Sequence, residues 1–124
     1  MLIKKMICHV KEEMRETFSS GQERWYGVCD CKGFLAQFGG WSDKNVAMII
    51  GFWKDPQLYA RFMSEEHDAI YIKTNQRDCI KSIEVQVEEI DVRDINNYAT
   101  KWLNEQNSAI HRKWTITTDS LEGS

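Results

Sequence analysis

Residues 46–53, Val-Ala-Met-Ile-Ile-Gly-Phe-Trp, form an unbroken apolar run that ends at Lys54-Asp55-Pro56. A strand with one wet face alternates apolar and polar residues; this run does not, so it predicts a strand buried on both faces. Asp55 is placed to cap a helix, and Pro56 to fill its first turn, where the missing backbone N–H has no intrahelical partner to lose. A strand held between two layers and followed at once by a capped helix restricts the chain to a layered fold of sheet and helices.

The flanking sequence supplies the other elements. Leu2 to Val10 reads as a first strand, with Met6, Cys8 and Val10 on one side and Ile7 and His9 on the other; His9 is expected to face a core or an interface. A helix over about 12–28 carries the stripe Met14, Phe18 and Trp25. A second strand over 33–41 and a polar turn at 42–45 complete a hairpin with the third strand. Gly39-Gly40 reads as a bulge or a close-packed strand end. The second helix, 56–72, turns Leu58, Tyr59, Phe62, Met63 and Ile70 inward and Arg61, Glu65 and Glu66 outward. In the fourth strand Ile83, Val85 and Val87 alternate with Glu84, Gln86 and Glu88. A change of phase at Glu88-Glu89 predicts a bulge there.

This order, β-α-β-β-α-β, is the split βαβ, ferredoxin-like α+β arrangement with an antiparallel sheet, assigned to residues 1–93. Residues 94–118 add a helix, with Ile95, Tyr98, Ala99, Trp102 and Gln106 on one face, and a strand with Trp114 and Ile116 on one side. They are expected to be an appendage of the same domain. Residues 119–124 read as a tail foreign to the fold.

Two helices cover one face of a four-stranded sheet, yet the third strand is apolar on both, and Phe34, Ala36 and Phe38 stand opposite Leu35 and Trp41. The appendage reads as small for covering the second face, so a twofold partner is expected there and the protein is expected to be a homodimer.

Composition limits the function classes. The 124 residues carry a net charge of −3 with Lys and Arg scattered, which lacks the basic stripe that nucleic acid requires. No run approaches the ~18 to 20 apolar residues of a membrane span, and the N-terminus is too interrupted for a signal peptide; a cytoplasmic protein is expected. Cys8, Cys29, Cys31 and Cys79 are expected to be reduced. Cys29-Asp30-Cys31 lacks the ligand count of a closed zinc site, and no metal site is predicted. There is no Ser-His-Asp order, phosphate loop or carboxylate pair on a helix.

Gly33-Phe34-Leu35, Gly39-Gly40, Ala47 to Trp53, Lys54-Asp55, Phe62 and His67, in that order and spacing, resemble the antibiotic biosynthesis monooxygenase superfamily of dimeric α/β barrels, and within it the small uncharacterised YdbC-like bacterial proteins. The resemblance implies a dimer whose sheets share a barrel, with a pocket in each subunit between sheet and helices. Its members include cofactor-independent oxygenases of polyphenols and haem-degrading enzymes. In the latter, a Trp matching Trp53 packs on the macrocycle and a His matching His67 ligates iron. The first strand here offers no Asn for the iron-bound oxygen, so weak or absent haem binding is expected and no cofactor is assigned.

Two readings remain open. In the first, His67 is a general base that takes a proton from a small phenolic substrate, a role its ordinary pKa range suits. Trp25, Phe34, Trp53 and Tyr59 then shape a water-excluding pocket floored by the hairpin near Gln37. In the second, the same side chains fill the pocket of a non-catalytic binding or structural homodimer, with Trp53 as core and His67 as a satisfied or surface imidazole. A cavity of about 300 Å³ or more beside His67 favours the first.

Overall fold

The computed structural model describes residues 1–23, 31–43, 45–65, 67, 76–106 and 114–117. In it the apolar run Val46–Trp53 is the middle strand of a five-stranded antiparallel sheet. The strands β1 (Leu2–Val10), β2 (Phe34–Asp43), β3 (Val46–Trp53), β4 (Ile80–Glu89) and β5 (Trp114–Thr117) lie in the order β4-β1-β3-β2-β5. The first four have the ferredoxin-like order, and β5 extends the sheet beyond β2.

Register assigns the two faces. Leu2, Lys4, Met6 and Cys8 of β1 stand opposite Trp53, Gly51, Ile49 and Ala47 of β3. This face is covered by α1 (Arg15–Glu23), entered through a 3-10 turn at Glu12–Met14, and by α2 (Pro56–Glu65). Phe18 of α1 is fully buried among Cys8, Val10, Ala47, Ile49 and Trp114. At the start of α2 the Leu58 N–H donates to Asp55 Oδ1 at 2.8 Å, the side-chain cap that the sequence predicts. His67 is helical beyond the end of α2, while Ile70, like Trp25 and Cys29, lies outside the described residues.

The opposite face corrects one argument from sequence. There α3 (Ile95–Gln106) buries Ile95, Ala99, Trp102 and Leu103 against Ile3, Ala36, Phe38, Met48, Ile50 and Phe52. The face for which a partner subunit is expected is therefore covered from within the chain. Twelve residues of helix at ~1.5 Å each reach about 18 Å, enough to cross most of a sheet whose strands are ~4.8 Å apart. The appendage is larger, measured across strands, than its residue count suggests. Asp94 caps it, with Oδ1 accepting from the Asn97 N–H at 3.0 Å.

Other details also depart from expectation. His9 is exposed on the chain, which overturns the core alternative and not the interface one. The β1–β4 ladder is irregular between His9 and Val10, opposite Ile80 and Ser82, and regular through Glu88 and Glu89. The change of phase near Glu88 instead marks the end of pairing, after which the Ile90 N–H still donates to the Met1 carbonyl at 3.0 Å. Gly39 sits in regular pairing with Ile49, where a Cβ would come within 2.8 Å of the Met48 carbonyl oxygen and 3.0 Å of the Trp114 ring. That is the close-packed alternative and not the bulge.

Candidate functional site

The row Lys4, Gly51, Gln37 crosses β1, β3 and β2 on the face beneath α2. Glycine in the middle of a central strand forgoes side-chain packing, and here it leaves space: a Cβ at Gly51 would touch only Gln37 Oε1 at 3.6 Å and Trp53 Nε1 at 4.0 Å. Above the row, Tyr59, Phe62, Met63 and His67 recur at helical spacing and face the sheet. Between the two layers lies a cavity of about 250 Å³, whose remaining walls include Met6, Cys8 and Gln22 and, along β4, Ile80, Ile83 and Val85.

Aromatic rings build one wall. The Trp53 ring centre is 4.7 Å from that of Phe62 and 5.7 Å from that of Tyr59. Phe62 in turn meets His67 edge-on at 5.8 Å. Capping of α2 by Asp55, two residues after Trp53, forces this proximity, because the helix begins where the strand stops. His67, Trp53, Tyr59 and Gln37 thus border one cavity. Phe34 does not reach it; it packs edge-on beneath Trp53 at 5.4 Å and holds that indole in place. Trp25 is outside the described residues.

Lys4 is the wall residue that sequence reasoning passed over. It is 9% exposed, and its Nζ is 3.7 Å from Met63 Sδ and 5.2 Å from the centre of the Tyr59 ring. The signal was present: the row Met6, Cys8, Val10, extended back by the two-residue period, lands on Lys4. Burial holds its amine below the ordinary lysine range, with a smaller opposing contribution from Cys8. The Cys8 thiol is itself pushed up to about 12 by burial, partly offset by Lys4, and burial raises the Tyr59 phenol.

The chemistry available is thus an apolar chamber with one buried amine, one imidazole and one phenol. Among the described residues no group of His, Cys, Asp and Glu is placed to hold a metal ion. A cavity of about 250 Å³ exceeds the ~150 Å³ that encloses benzene but falls below the ~300 Å³ at which drug-sized pockets begin. That volume is room for one or two aromatic rings.

Comparison with known proteins agrees with the fold. The family described as a domain of unknown function, DUF4937, matches residues 2–87, from β1 into β4 and short of α3 and β5. The uncharacterized protein YdbC of Bacillus subtilis (strain 168) is 42% identical over 95 residues, covering 73% of this chain and 80% of that protein. A solved structure from Chloroflexus aurantiacus J-10-fl, provisionally titled an antibiotic biosynthesis monooxygenase, superposes with a TM-score of 0.61 at 13% identity, over 77% of this chain and 99% of the other. SnoaB of Streptomyces nogalater, described as a cofactor-independent oxygenase, gives a TM-score of 0.52 at 12% identity, over 74% and 92% of the two chains. At such identities the likeness to the solved structures is one of fold. Among the described residues no helix is long and apolar enough to cross a membrane.

Proposed function

The chain belongs to the DUF4937 family of unknown function, and from that premise we propose that it is a cytoplasmic, cofactor-independent oxygenase acting on a small phenolic aromatic. The observation that carries the reading is the cavity in which His67 meets an aromatic wall of Trp53, Phe62 and Tyr59. The fold shared with a cofactor-independent oxygenase supports it by analogy. His67 takes the phenolic proton; the electron-rich phenolate then reacts with dioxygen. The balance is phenol plus O₂ giving quinone plus water: the ring loses four electrons, one oxygen atom becomes the new carbonyl and the other leaves as water. No metal or flavin is required because the ring itself is the reductant.

A second reading, a non-catalytic binder of small ligands, is favoured by the cavity volume of about 250 Å³, below the 300 Å³ mark set above. Oxygen uptake in the presence of naphthol- and catechol-sized phenols, without added metal or flavin, decides between them. The oxygenase consumes oxygen and forms quinone, and His67→Ala lowers the rate by about 100-fold or more. Binding of the phenols with no oxygen uptake overturns the oxygenase and leaves the binder.

A homodimer belongs to the proposal on a new footing. Ile83, Val85 and Val87 are 45%, 48% and 50% exposed on the edge strand β4, an apolar row that edge strands ordinarily avoid. A second copy seated there would also close the side of the cavity formed by Ile83 and Val85. Sedimentation equilibrium of Val87→Arg tests it: the proposal expects a dimer to become a monomer, and a monomeric parent protein contradicts it.

A further inference from the structure

β1 carries a lysine where its period calls for an apolar residue. Leu2, Lys4, Met6, Cys8 and Val10 share one face, and Lys4 is buried like Leu2 and Cys8. Its neighbours Met63 and Tyr59 offer a thioether and a ring face but no negative charge. Among the described residues no carboxylate is within ion-pair distance of Lys4. The adjacent Lys5, on the opposite face, shows the ordinary solution, with Nζ 2.7 Å from Glu88 Oε1.

A buried cation without a counter-charge is costly, so positions of this kind are usually neutralised, paired or apolar. The groups that face Lys4 do not neutralise it. On its own strand Cys8 stays protonated, its thiol pushed up to about 12 by burial. On α2 Tyr59 is raised by burial, β3 contributes Gly51 and β2 the neutral Gln37. β4 contributes Val85 and Ile83 to the wall, and His67 completes it; the described lining holds no Asp or Glu. The amine instead donates to the Met63 thioether and lies over the Tyr59 ring, and Lys4 lines the same cavity as Gly51, its partner across the strands.

We propose that Lys4 is the anion-holding residue of this cavity and that its substrate is bound as a phenolate, with the ring against Trp53 and Phe62 and the oxygen on Nζ. The inference rests on the cavity being an aromatic site, as argued above, and names the form in which the substrate is held. The phenolic O–H bond breaks, the proton passes to the His67 imidazole, and the negative oxygen pairs with the Lys4 ammonium. An opposite charge in a low-dielectric chamber lowers the phenol's pKa and favours the electron-rich form. Lys4 therefore supplies the charge and His67 the acceptor.

The test uses 4-nitrophenol, whose ionisation is visible by absorbance, with non-ionisable 4-nitroanisole and 4-nitrobenzoate as companions. The whole chain is compared with Lys4→Met, which keeps an unbranched side chain one heavy atom shorter and removes its charge. Bound 4-nitrophenol is expected to ionise at least about one pH unit below the free compound. In Lys4→Met this shift disappears and the phenolate binds at least ten-fold more weakly, while 4-nitroanisole binds as before and so reports an intact cavity. Ionisation at the same pH as the free compound, or a shift that survives in Lys4→Met, overturns the proposal. So does tight binding of 4-nitrobenzoate without ionisation of bound nitrophenol, which would make the anion a carboxylate. If 4-nitroanisole fails to bind even the parent protein, the aromatic cavity itself is refuted and the phenolate with it; if it binds while the phenolate effect is absent, only the phenolate falls.

Discussion

The rings of Trp53 and Phe62 lie 4.7 Å apart, centre to centre, inclined at 36°. That contact joins the end of β3 to the middle of α2 and sets the height of the cavity between them. Truncating Phe62 removes a buried ring, so Phe62→Ala is expected to cost about 3 kcal/mol in urea unfolding. It also enlarges the cavity and lets α2 settle, weakening binding of any aromatic ligand. Unchanged affinity in a folded Phe62→Ala protein would place the ligand elsewhere.

Gly33 precedes β2 with φ +92°, and a Cβ there would meet Leu58 Cβ at 2.5 Å and Cδ1 at 2.7 Å. Its carbonyl accepts the Lys54 N–H at 2.7 Å, tying the start of β2 to the end of β3. Gly33→Ala combines backbone strain with a clash and is expected to lose about 3 kcal/mol. Leu58→Ala in the same chain restores only part of this, since the contact with the Cβ of residue 58 at 2.5 Å and the backbone strain both remain. Full recovery in the double variant, by thermal or chemical unfolding, would show that only the clash with the Leu58 atoms beyond Cβ matters.

Ala99 of α3 is fully buried on the sheet face opposite the cavity. Ala99→Asp puts an unpaired carboxylate into that core and is expected to destabilise the protein by about 3 kcal/mol or more. If another copy of the chain rather than α3 covered that face in solution, the substitution would instead change the oligomeric state with little loss of monomer stability. Unfolding combined with sedimentation separates the two.

Glu88 accepts hydrogen bonds from Lys5 at 2.7 Å and Tyr98 at 2.8 Å. Those bonds hold its carboxyl below the usual range, although burial opposes them. A depressed carboxylate contributes stability above its unfolded pKa of about 4.3 and loses it as pH falls through the lower folded value. Lys5 is raised because the bonds to Glu88 and Tyr98 outweigh its desolvation; its share is present below its unfolded pKa of about 10.4 and is lost as pH rises through the higher folded value. The Glu88 side chain is 41% exposed, so the pair is worth about 0.5 kcal/mol. Glu88→Gln should flatten the acid limb of the stability profile below pH ~4.3 by that amount. An unaltered acid limb would mean the triad is not formed in solution.

Much of the fold was legible because its signals are local. The unbroken run 46–53, the Asp55-Pro56 helix start and the alternation of Trp114 and Ile116 each depend on near neighbours, and all became the expected elements. The reach of α3 was not legible, since which face a helix covers depends on where the chain crosses the sheet edge and not on its own residues. In the site, Trp53 and Tyr59 follow from strand end and helix start, whereas Phe34 falls one layer behind them because β2 shifts register between Phe34 and Ala36. Lys4 was hidden by chemistry rather than geometry. A lysine near the start of a strand reads as solvated, and only the three-dimensional count of charges shows it without a carboxylate among the described residues.

The cavity as ligand site is tested most directly by methyl NMR of the methionines during titration with a naphthol-sized phenol. Met6 and Met63 line the cavity, while Met48 lies in the core beneath α3 on the other side of the sheet. The account predicts that the Met6 and Met63 ε-methyl signals shift and saturate together while Met48 stays in place. A Met48 shift without those of Met6 and Met63, or no shift at saturating phenol, would contradict it.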